Sequence, residues 1–376
     1  MTGNGVEYQY AIEIYKKGDP GAHLGTEAVL PDFGPIQEGA VFEAIRKDRD
    51  RPVVLDPEEC QVEPRWDKSL GLPYLSGLKA VVARENRPTV TYDIPLGYFD
   101  AAARAVSSPL VEAGKLIVGE TFEYRVRAHP RHAEAAVTRA LEPRPLFSVK
   151  RGQVPLAVDE QSFAEFAVAA TPCGVEDDDQ MPALIPQTVL DEVFELRRQA
   201  EAAETGGILI GNLHRDGDCG ELFLEVTAQI AARHAEQELT RLTFTPRTWA
   251  AVDAAISLRG KKEMYVGWWH THPSGHWCDQ CPAETRAKCT IAGKLSGDFF
   301  SSQDAALHRT VFPQGFCVAL VISDHCDKPH VPLCRLYGWR HGMVRPRGFH
   351  ILGADAVPAT PADRCSQKGI NHVRSL

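Results

Sequence analysis

Two histidines at the end of an apolar segment constrain this chain more than any other feature. His270 and His272 directly follow residues 265–269, whose Tyr, Val, Gly and two Trp are typical of a buried β-strand. Side chains two apart on a strand point to the same face, so both imidazoles can reach one metal ion. Pro273 prevents this segment from continuing as a central strand of a sheet. The pattern therefore predicts a strand that ends at a metal site.

A carboxylate further along the chain can complete that site. Asp304 is predicted to lie near the start of a helix over residues 303–308, with Ser301 or Ser302 as its N-cap. Two histidines and one carboxylate leave the fourth tetrahedral position to water, which is the arrangement of catalytic rather than structural zinc. Zinc lowers the pKa of its bound water to about 7, so hydroxide is available at neutral pH.

The reaction also needs a base that is not a metal ligand. Glu204 follows a predicted helix over residues 188–203 and precedes a run over 205–211 that combines glycines with apolar residues. A carboxylate at such a junction can point into a cleft, take a proton from the zinc-bound water and deliver it to the leaving amine. Ser301 could hydrogen-bond the oxyanion of a tetrahedral intermediate.

Three motifs together resemble the JAMM (MPN+) zinc metalloprotease family. In chain order they are Glu204-Thr-Gly-Gly-Ile-Leu-Ile-Gly, His270-Thr-His-Pro and Ser301-x-x-Asp. The resemblance covers residues 185–340 and implies an α/β (α+β) fold, a cytidine-deaminase-like three-layer MPN/JAB domain with a central mixed sheet. It implies that Glu204 is the general base and Ser301 the oxyanion support. The implied ligands of the catalytic zinc are His270, His272 and Asp304.

The spacing of the third motif departs from the family pattern. In the family a short spacer separates the histidine motif from Ser-x-x-Asp, whereas here residues 274–300 intervene. Asp298 is a competing carboxylate, but it has no serine three residues before it. The family also contains inactive scaffold members that have lost ligands. This chain retains every ligand type, which favours a catalytic member.

The inserted residues 274–300 carry a second candidate metal site. A Cys-x-x-Cys pair is followed by a third thiol, and a histidine precedes the pair. The candidate ligands are His276, Cys278, Cys281 and Cys289. The fourth position could instead be filled by His308, His325 or Cys326. Such a set forms structural zinc sites, and the metal would supply the folding energy that a short polar segment lacks. Free thiols and a redox pair are the alternatives.

Composition limits the partners and the compartment. The chain has 376 residues and a formal net charge of −9, with no Lys/Arg block, so nucleic acid is not a favoured partner. No stretch approaches the roughly 20 consecutive apolar residues of a membrane span. Ten cysteines without a signal-peptide pattern favour a reducing cytoplasm.

Periodicity predicts two folded regions. Residues 1–170 are expected to form an N-terminal α+β domain of unknown role, and residues 171–184 an acidic linker. Residues 185–340 are expected to form the catalytic domain and 341–376 a tail. The predicted N-terminal elements are strands over 8–15, 79–83, 89–94 and 116–127, and helices over 98–106 and 161–170.

The functional prediction is a zinc isopeptidase that acts on a ubiquitin-like protein. Family members cleave isopeptide or peptide bonds after ubiquitin or ubiquitin-like proteins, so the expected partner is such a protein or its conjugates. Its extended tail could bind beside a sheet edge, in a groove formed by the inserted segment and strands near residues 240 and 265. An additional N-terminal domain suggests a bacterial ubiquitin-like pathway, such as an antiviral operon. The alternatives are a zinc amidohydrolase acting on a small amino-acid or sulfur-carrier adduct, and a non-catalytic scaffold.

Overall fold

The computed structural model describes residues 7–19, 21–46, 48, 53–69, 73–117, 120–131, 155–177, 180–233, 236–237, 242–273, 299–325 and 328–353. The protein is a mixed α+β protein in which sheets dominate, as the sequence predicts. The described residues form two compact units. The first contains the residues up to Val41 and those from Leu55 to 131, and the second contains those between Phe42 and Val54 and those from Pro155 onward.

The first unit consists of two three-stranded antiparallel sheets and two helices. Its elements are β1 Tyr8–Lys16, β2 His23–Val29, α1 Gly34–Arg46, β3 Cys60–Asp67, β4 Tyr74–Val82, β5 Val90–Pro95, α2 Asp100–Glu112 and β6 Phe122–Pro130. The strand orders are β2-β1-β6 and β3-β4-β5. The strands predicted over 79–83 and 89–94 are present as β4 and β5, which pair with each other. The predicted helix over 98–106 begins at Asp100, after a 3₁₀ turn over Leu96–Phe99. Helix α1 starts in this unit and ends in the second.

The second unit is built on one large mixed sheet. Its helices are α3 Phe163–Ala167, α4 Gln187–Gln199, α5 Pro246–Arg259 and α6 Ser302–Val311. Its strands are β7 Val158–Gln161, β8 Ala170–Cys173, β9 Ala183–Pro186, β10 Gly206–Asp216, β11 Leu222–Ala231, β12 Glu236–Gln237, β13 Leu242–Thr243, β14 Met264–His272, β15 Val318–His325, β16 Lys328–Arg340, β17 Met343–Arg347 and β18 Phe349–Leu352.

The order of strands places the histidine-bearing strand in the middle of this sheet. The order is β17-β16-β15-β14-β10-β11-β9-β18-β8, and β7 pairs with β10. Strand β14 is antiparallel to β10 and parallel to β15. None of the helices in the described part of the chain is long and apolar enough to cross a membrane.

The observed sheet extends beyond the predicted limits of the catalytic domain. Strand β7 comes from the predicted N-terminal domain, β8 and β9 overlap the predicted linker 171–184, and β17 and β18 come from the predicted tail. The predicted helix over 161–170 is reduced to α3. Pro172 lies in β8 and Pro346 in β17, the strands at the two ends of the sheet. Proline is tolerated at an edge, where its missing N–H is not needed.

Helix α5 shows how local sequence signals set the start and the end of a helix. Thr245 caps it by accepting a hydrogen bond from the backbone N–H of Thr248 at 3.3 Å, and Pro246 occupies the first turn. Gly260 ends the helix with a φ of +63°, a left-handed conformation that glycine adopts readily. The helix therefore returns the chain to the start of β14.

We expect Gly267→Ala to destabilise the second unit. A Cβ at Gly267 would lie 1.9 Å from the carbonyl oxygen of Val318 on the neighbouring strand β15, so the backbone would have to move. Overpacking of this kind costs about 1–3 kcal/mol. Urea unfolding measures the loss, with Gly217→Ala as the control because nothing lies within 4 Å of its added Cβ. Equal stability of the two variants would contradict the prediction.

Candidate metal centre

Strand β14 presents its two terminal histidines on one face of the sheet. His270 and His272 are 1% and 2% exposed. The strand is hydrogen-bonded on both sides: Gly206 of β10 and Val321 of β15 flank His270. Because residues two apart share a face, the two imidazoles project together, as the sequence predicts. The histidines are therefore held by a rigid, central element.

Helix α6 brings the carboxylate of Asp304 to the same place. Ser301 caps the helix: its Oγ accepts a hydrogen bond from the Asp304 N–H at 3.1 Å. In return, Oδ2 of Asp304 accepts one from the Ser301 N–H at 2.7 Å. This reciprocal capping box is the predicted helix start. It leaves the other face of the carboxylate directed at the histidines.

Three potential ligand atoms converge at this point. The Nε2 atoms of His270 and His272 are 3.0 Å apart. Asp304 places Oδ1 3.2 Å from the first Nε2 and Oδ2 3.6 Å from the second. Two donors bound to one zinc at about 2.0–2.1 Å and a tetrahedral angle lie about 3.3 Å apart. The observed separations therefore fit a shared zinc ion.

The electrostatics of the cluster also favour a cation. Burial lowers the pKa of His270, so its imidazole is neutral at pH 7. Burial alone would raise the pKa of Asp304, but the two histidines hold it well below its usual range. The carboxylate and the two imidazole nitrogens therefore face one another at close range, and the two histidines are buried. Two imidazoles and a carboxylate form a donor set that suits zinc.

Glu204 lies beside this cluster and is 5% exposed. Burial raises its pKa to about 7, and nearby Asp304 raises it while His272 lowers it. Helix α4 ends at Gln199 rather than at the predicted residue 203. Glu204 therefore lies in the connection to β10. The next residue, Thr205, fixes that connection to β14 by two hydrogen bonds with Thr271, each 2.9 Å long.

Comparison with known proteins agrees with this geometry. The sequence profile described as "JAB1/Mov34/MPN/PAD-1 ubiquitin protease" matches residues 182–291, which include Glu204 and both histidines. The chain contains a JAB/MPN domain. That family includes metalloisopeptidases and also inactive members, so membership supports a peptidase or a scaffold role.

The other comparisons add little. No curated protein matches the chain. Among solved structures, the chain is similar to the solution structure of protein DSY2949 from Desulfitobacterium hafniense. The sequence identity is 20%, the match covers 46% of this chain and 94% of that one, and the TM-score is 0.31.

Aromatic rings pack against both histidines of the cluster. Trp268 stacks on His270 with ring centroids 4.5 Å apart and an interplanar angle of 15°. The ring centroid of Phe299 lies 4.6 Å from that of His272. The ring of Phe300 packs against Tyr337 with centroids 4.8 Å apart. Phe299 and Phe300 are the last two residues of the inserted segment 274–300, and the sequence gives no sign of their position beside the histidines. This apolar wall strengthens electrostatic interactions at the site.

Several predicted site residues lie outside the described residues of the chain. They are His276, Cys278, Cys281 and Cys289 of the second candidate metal site, and Asp298, the competitor of Asp304. The structural zinc therefore stays a prediction. His308, an alternative fourth ligand for that site, is fully buried on α6, where its Nδ1 accepts a hydrogen bond from Trp268.

We expect buried His308 to make the stability of the JAB/MPN domain pH-dependent. Burial lowers its pKa to about 3. An unfolded histidine has a pKa of about 6.5, so the unfolded state binds the extra proton and stability falls as the pH drops below that value. His308 should therefore account for a loss of about 2 kcal/mol in the free energy of unfolding between pH 7 and pH 5. Urea unfolding of wild type and His308→Leu at both pH values measures it, and an equal pH dependence in the two proteins would contradict the assignment.

Proposed function

We propose that this protein is a zinc-dependent isopeptidase or peptidase that releases a ubiquitin-like protein from conjugates or precursors. The observation that carries the proposal is the convergence of His270, His272 and Asp304 beside the buried Glu204. A scaffold member has no need of a complete donor set with a base next to it. The retention of both in one buried cluster supports catalysis.

Each residue of the cluster has a role in amide hydrolysis. Zinc held by the two histidines and Asp304 would polarise the scissile carbonyl and acidify a water molecule. Glu204 takes a proton from the attacking water and delivers it to the leaving amine as the C–N bond breaks. A pKa of about 7 allows it to accept and to release that proton. The Ser301 Oγ accepts a hydrogen bond from the Asp304 N–H, so its own O–H can donate a hydrogen bond to the oxyanion.

A groove beside strand β11 supports an extended protein tail as the substrate. It has a volume of about 710 Å³. Residues of α4 and α5 on its wall are Asp191, Glu192, Glu195, Leu196, Thr248 and Ala251. Strand β11 pairs with β9 only at Leu224 and Glu225, so within the described chain the edge over residues 226–231 has no second strand partner. An extended peptide can add to such an edge.

The position of the groove connects it with the candidate metal centre. Ala231, at the end of β11, pairs with Gly207, three residues from Glu204. A tail that follows the edge of β11 would therefore approach the cluster from one side. An open groove suits a protein tail better than a small adduct, which a closed pocket would bind.

The test is hydrolysis of two probes by the zinc-loaded full-length protein. One is an isopeptide-linked ubiquitin dimer and the other a cysteine adduct of a sulfur-carrier protein, with mass spectrometry to locate the cleaved bond. We expect cleavage of the dimer after the terminal glycine, loss of activity with a zinc chelator, and recovery on adding zinc. Cleavage of only the adduct would favour the amidohydrolase. Absence of hydrolysis from both would favour the scaffold.

A further inference from the structure

Two side-chain links join β14 to α6. The first is the cluster of His270, His272 and Asp304, and the second is a hydrogen bond between Trp268 and His308. The indole Nε1–H of Trp268 donates a hydrogen bond to Nδ1 of His308 at 3.0 Å. Both side chains are buried, at 1% and 0% exposed. Trp268 precedes His270 by two residues and so shares its face of the strand. His308 follows Asp304 by four residues and so shares its face of the helix. The two links therefore lie side by side.

This second link reaches the ligands directly. The Trp268 ring is stacked on that of His270, as described above, so movement of the indole changes the orientation of a ligand ring. On its other side His308 packs against Trp339, at 5.1 Å, and Phe312, at 6.0 Å. The hydrogen bond thus connects a ligand-bearing strand to a helix that is itself packed in the core.

Hydrogen-bond chemistry requires a specific form of His308. An indole N–H can only donate, so Nδ1 of His308 must be an unprotonated acceptor. A side chain without an acceptor at that position would leave the Trp268 N–H buried and unsatisfied, which destabilises this arrangement of β14 and α6. The pair is therefore sensitive to loss of the acceptor alone.

Chain connectivity does not fix the distance between the histidines and Asp304. The long segment 274–300 separates β14 from α6, so their relative position must come from tertiary contacts. We infer that Trp268 and His308 are positioning residues that hold α6 at the distance from β14 at which both histidines and Asp304 can share one zinc. This inference rests on the proposed function, because it assumes that zinc binds there.

The experiment measures zinc affinity by competition with a chromophoric chelator, using the full-length protein and zinc alone. We expect His308→Leu to raise the zinc Kd about 10–100-fold, the range for partners that orient metal ligands. Trp268→Phe keeps an aromatic ring over His270 but removes the donor, and should raise the Kd similarly. His308→Asn places Oδ1 near the position of Nδ1 and should recover most of the affinity. The matched control is Trp249→Phe, whose indole packs against Phe244, Tyr265 and Phe312.

A purely structural role gives a different result. It would lower the unfolding midpoint of the zinc-free protein in the His308 and Trp268 variants and leave the zinc Kd unchanged, which would overturn the inference. Equal loss of affinity in His308→Leu and His308→Asn would also overturn it, since the acceptor would not be the cause.

The His270→Ala/His272→Ala variant gives the baseline zinc affinity of a protein without the two histidines. If wild type binds zinc no better than that variant, the proposed function itself fails. Full affinity in His308→Leu with loss in the baseline variant rejects only the positioning role.

Discussion

Glu204→Gln should lower the kcat for isopeptide cleavage by about 10²–10⁴-fold while zinc stays bound. Glutamine keeps the size of the side chain but cannot take a proton from water or return it to the leaving amine. Glu204 provides none of the three converging ligand atoms, so the zinc content of the variant should match that of wild type. Initial rates at saturating substrate and zinc content on the same preparation measure both quantities.

The matched control for this variant is Glu201→Gln. Glu201 is an exposed glutamate three residues earlier in the same connection, outside the ligand cluster. It should retain the wild-type rate. A Glu204→Gln protein with full activity would remove Glu204 as the base, and one that loses zinc would mean that Glu204 is a ligand.

Asp304→Asn should raise the zinc Kd by more than the roughly 10–100-fold expected on removing a residue that only orients a metal ligand. The reason is that a charged ligand is replaced by a neutral amide. The helix itself should persist, since the asparagine Oδ1 can still accept the Ser301 N–H that Asp304 accepts now. The change therefore separates the ligand role of this residue from its capping role. Chelator competition gives the Kd and urea unfolding the stability.

Ser301→Ala changes the other residue of the capping box that Ser301 and Asp304 form. It removes the hydroxyl that caps α6 and should cost about 1 kcal/mol of stability. Its zinc Kd should rise far less than that of Asp304→Asn, while its turnover falls because the oxyanion donor is lost. Equal zinc Kd values in the Ser301 and Asp304 variants would contradict the division of roles.

Local signals predicted the elements that carry the site. The two histidines at the end of β14 and the serine that caps α6 both act within a few residues of chain, and both are found. Where a local signal was missed, the prediction differs. Glu201 has a φ of +50°, a left-handed conformation just beyond the end of α4, and the sequence pattern placed the helix end four residues too late.

Contacts between distant segments could not be predicted in this way. Strands β7, β8 and β18 have four residues each and lack clear alternation, so only their pairing with the main sheet identifies them as strands. The hydrogen bond between Trp268 and His308 joins residues 40 apart in sequence. Neither side chain alone indicates a partner. The arrangement around the ligands is therefore a property of the tertiary structure.

Zinc content per chain, measured by plasma mass spectrometry, tests the central claim most directly. The proteins to compare are wild type, His270→Ala/His272→Ala, and the control His23→Ala/His129→Ala, which removes two exposed histidines. We expect the first double variant to contain one zinc fewer than wild type and the control to match wild type. A fall from two to one would leave a structural ion in the cysteine segment, and a fall from one to none would exclude it. An unchanged zinc content in His270→Ala/His272→Ala would contradict the account.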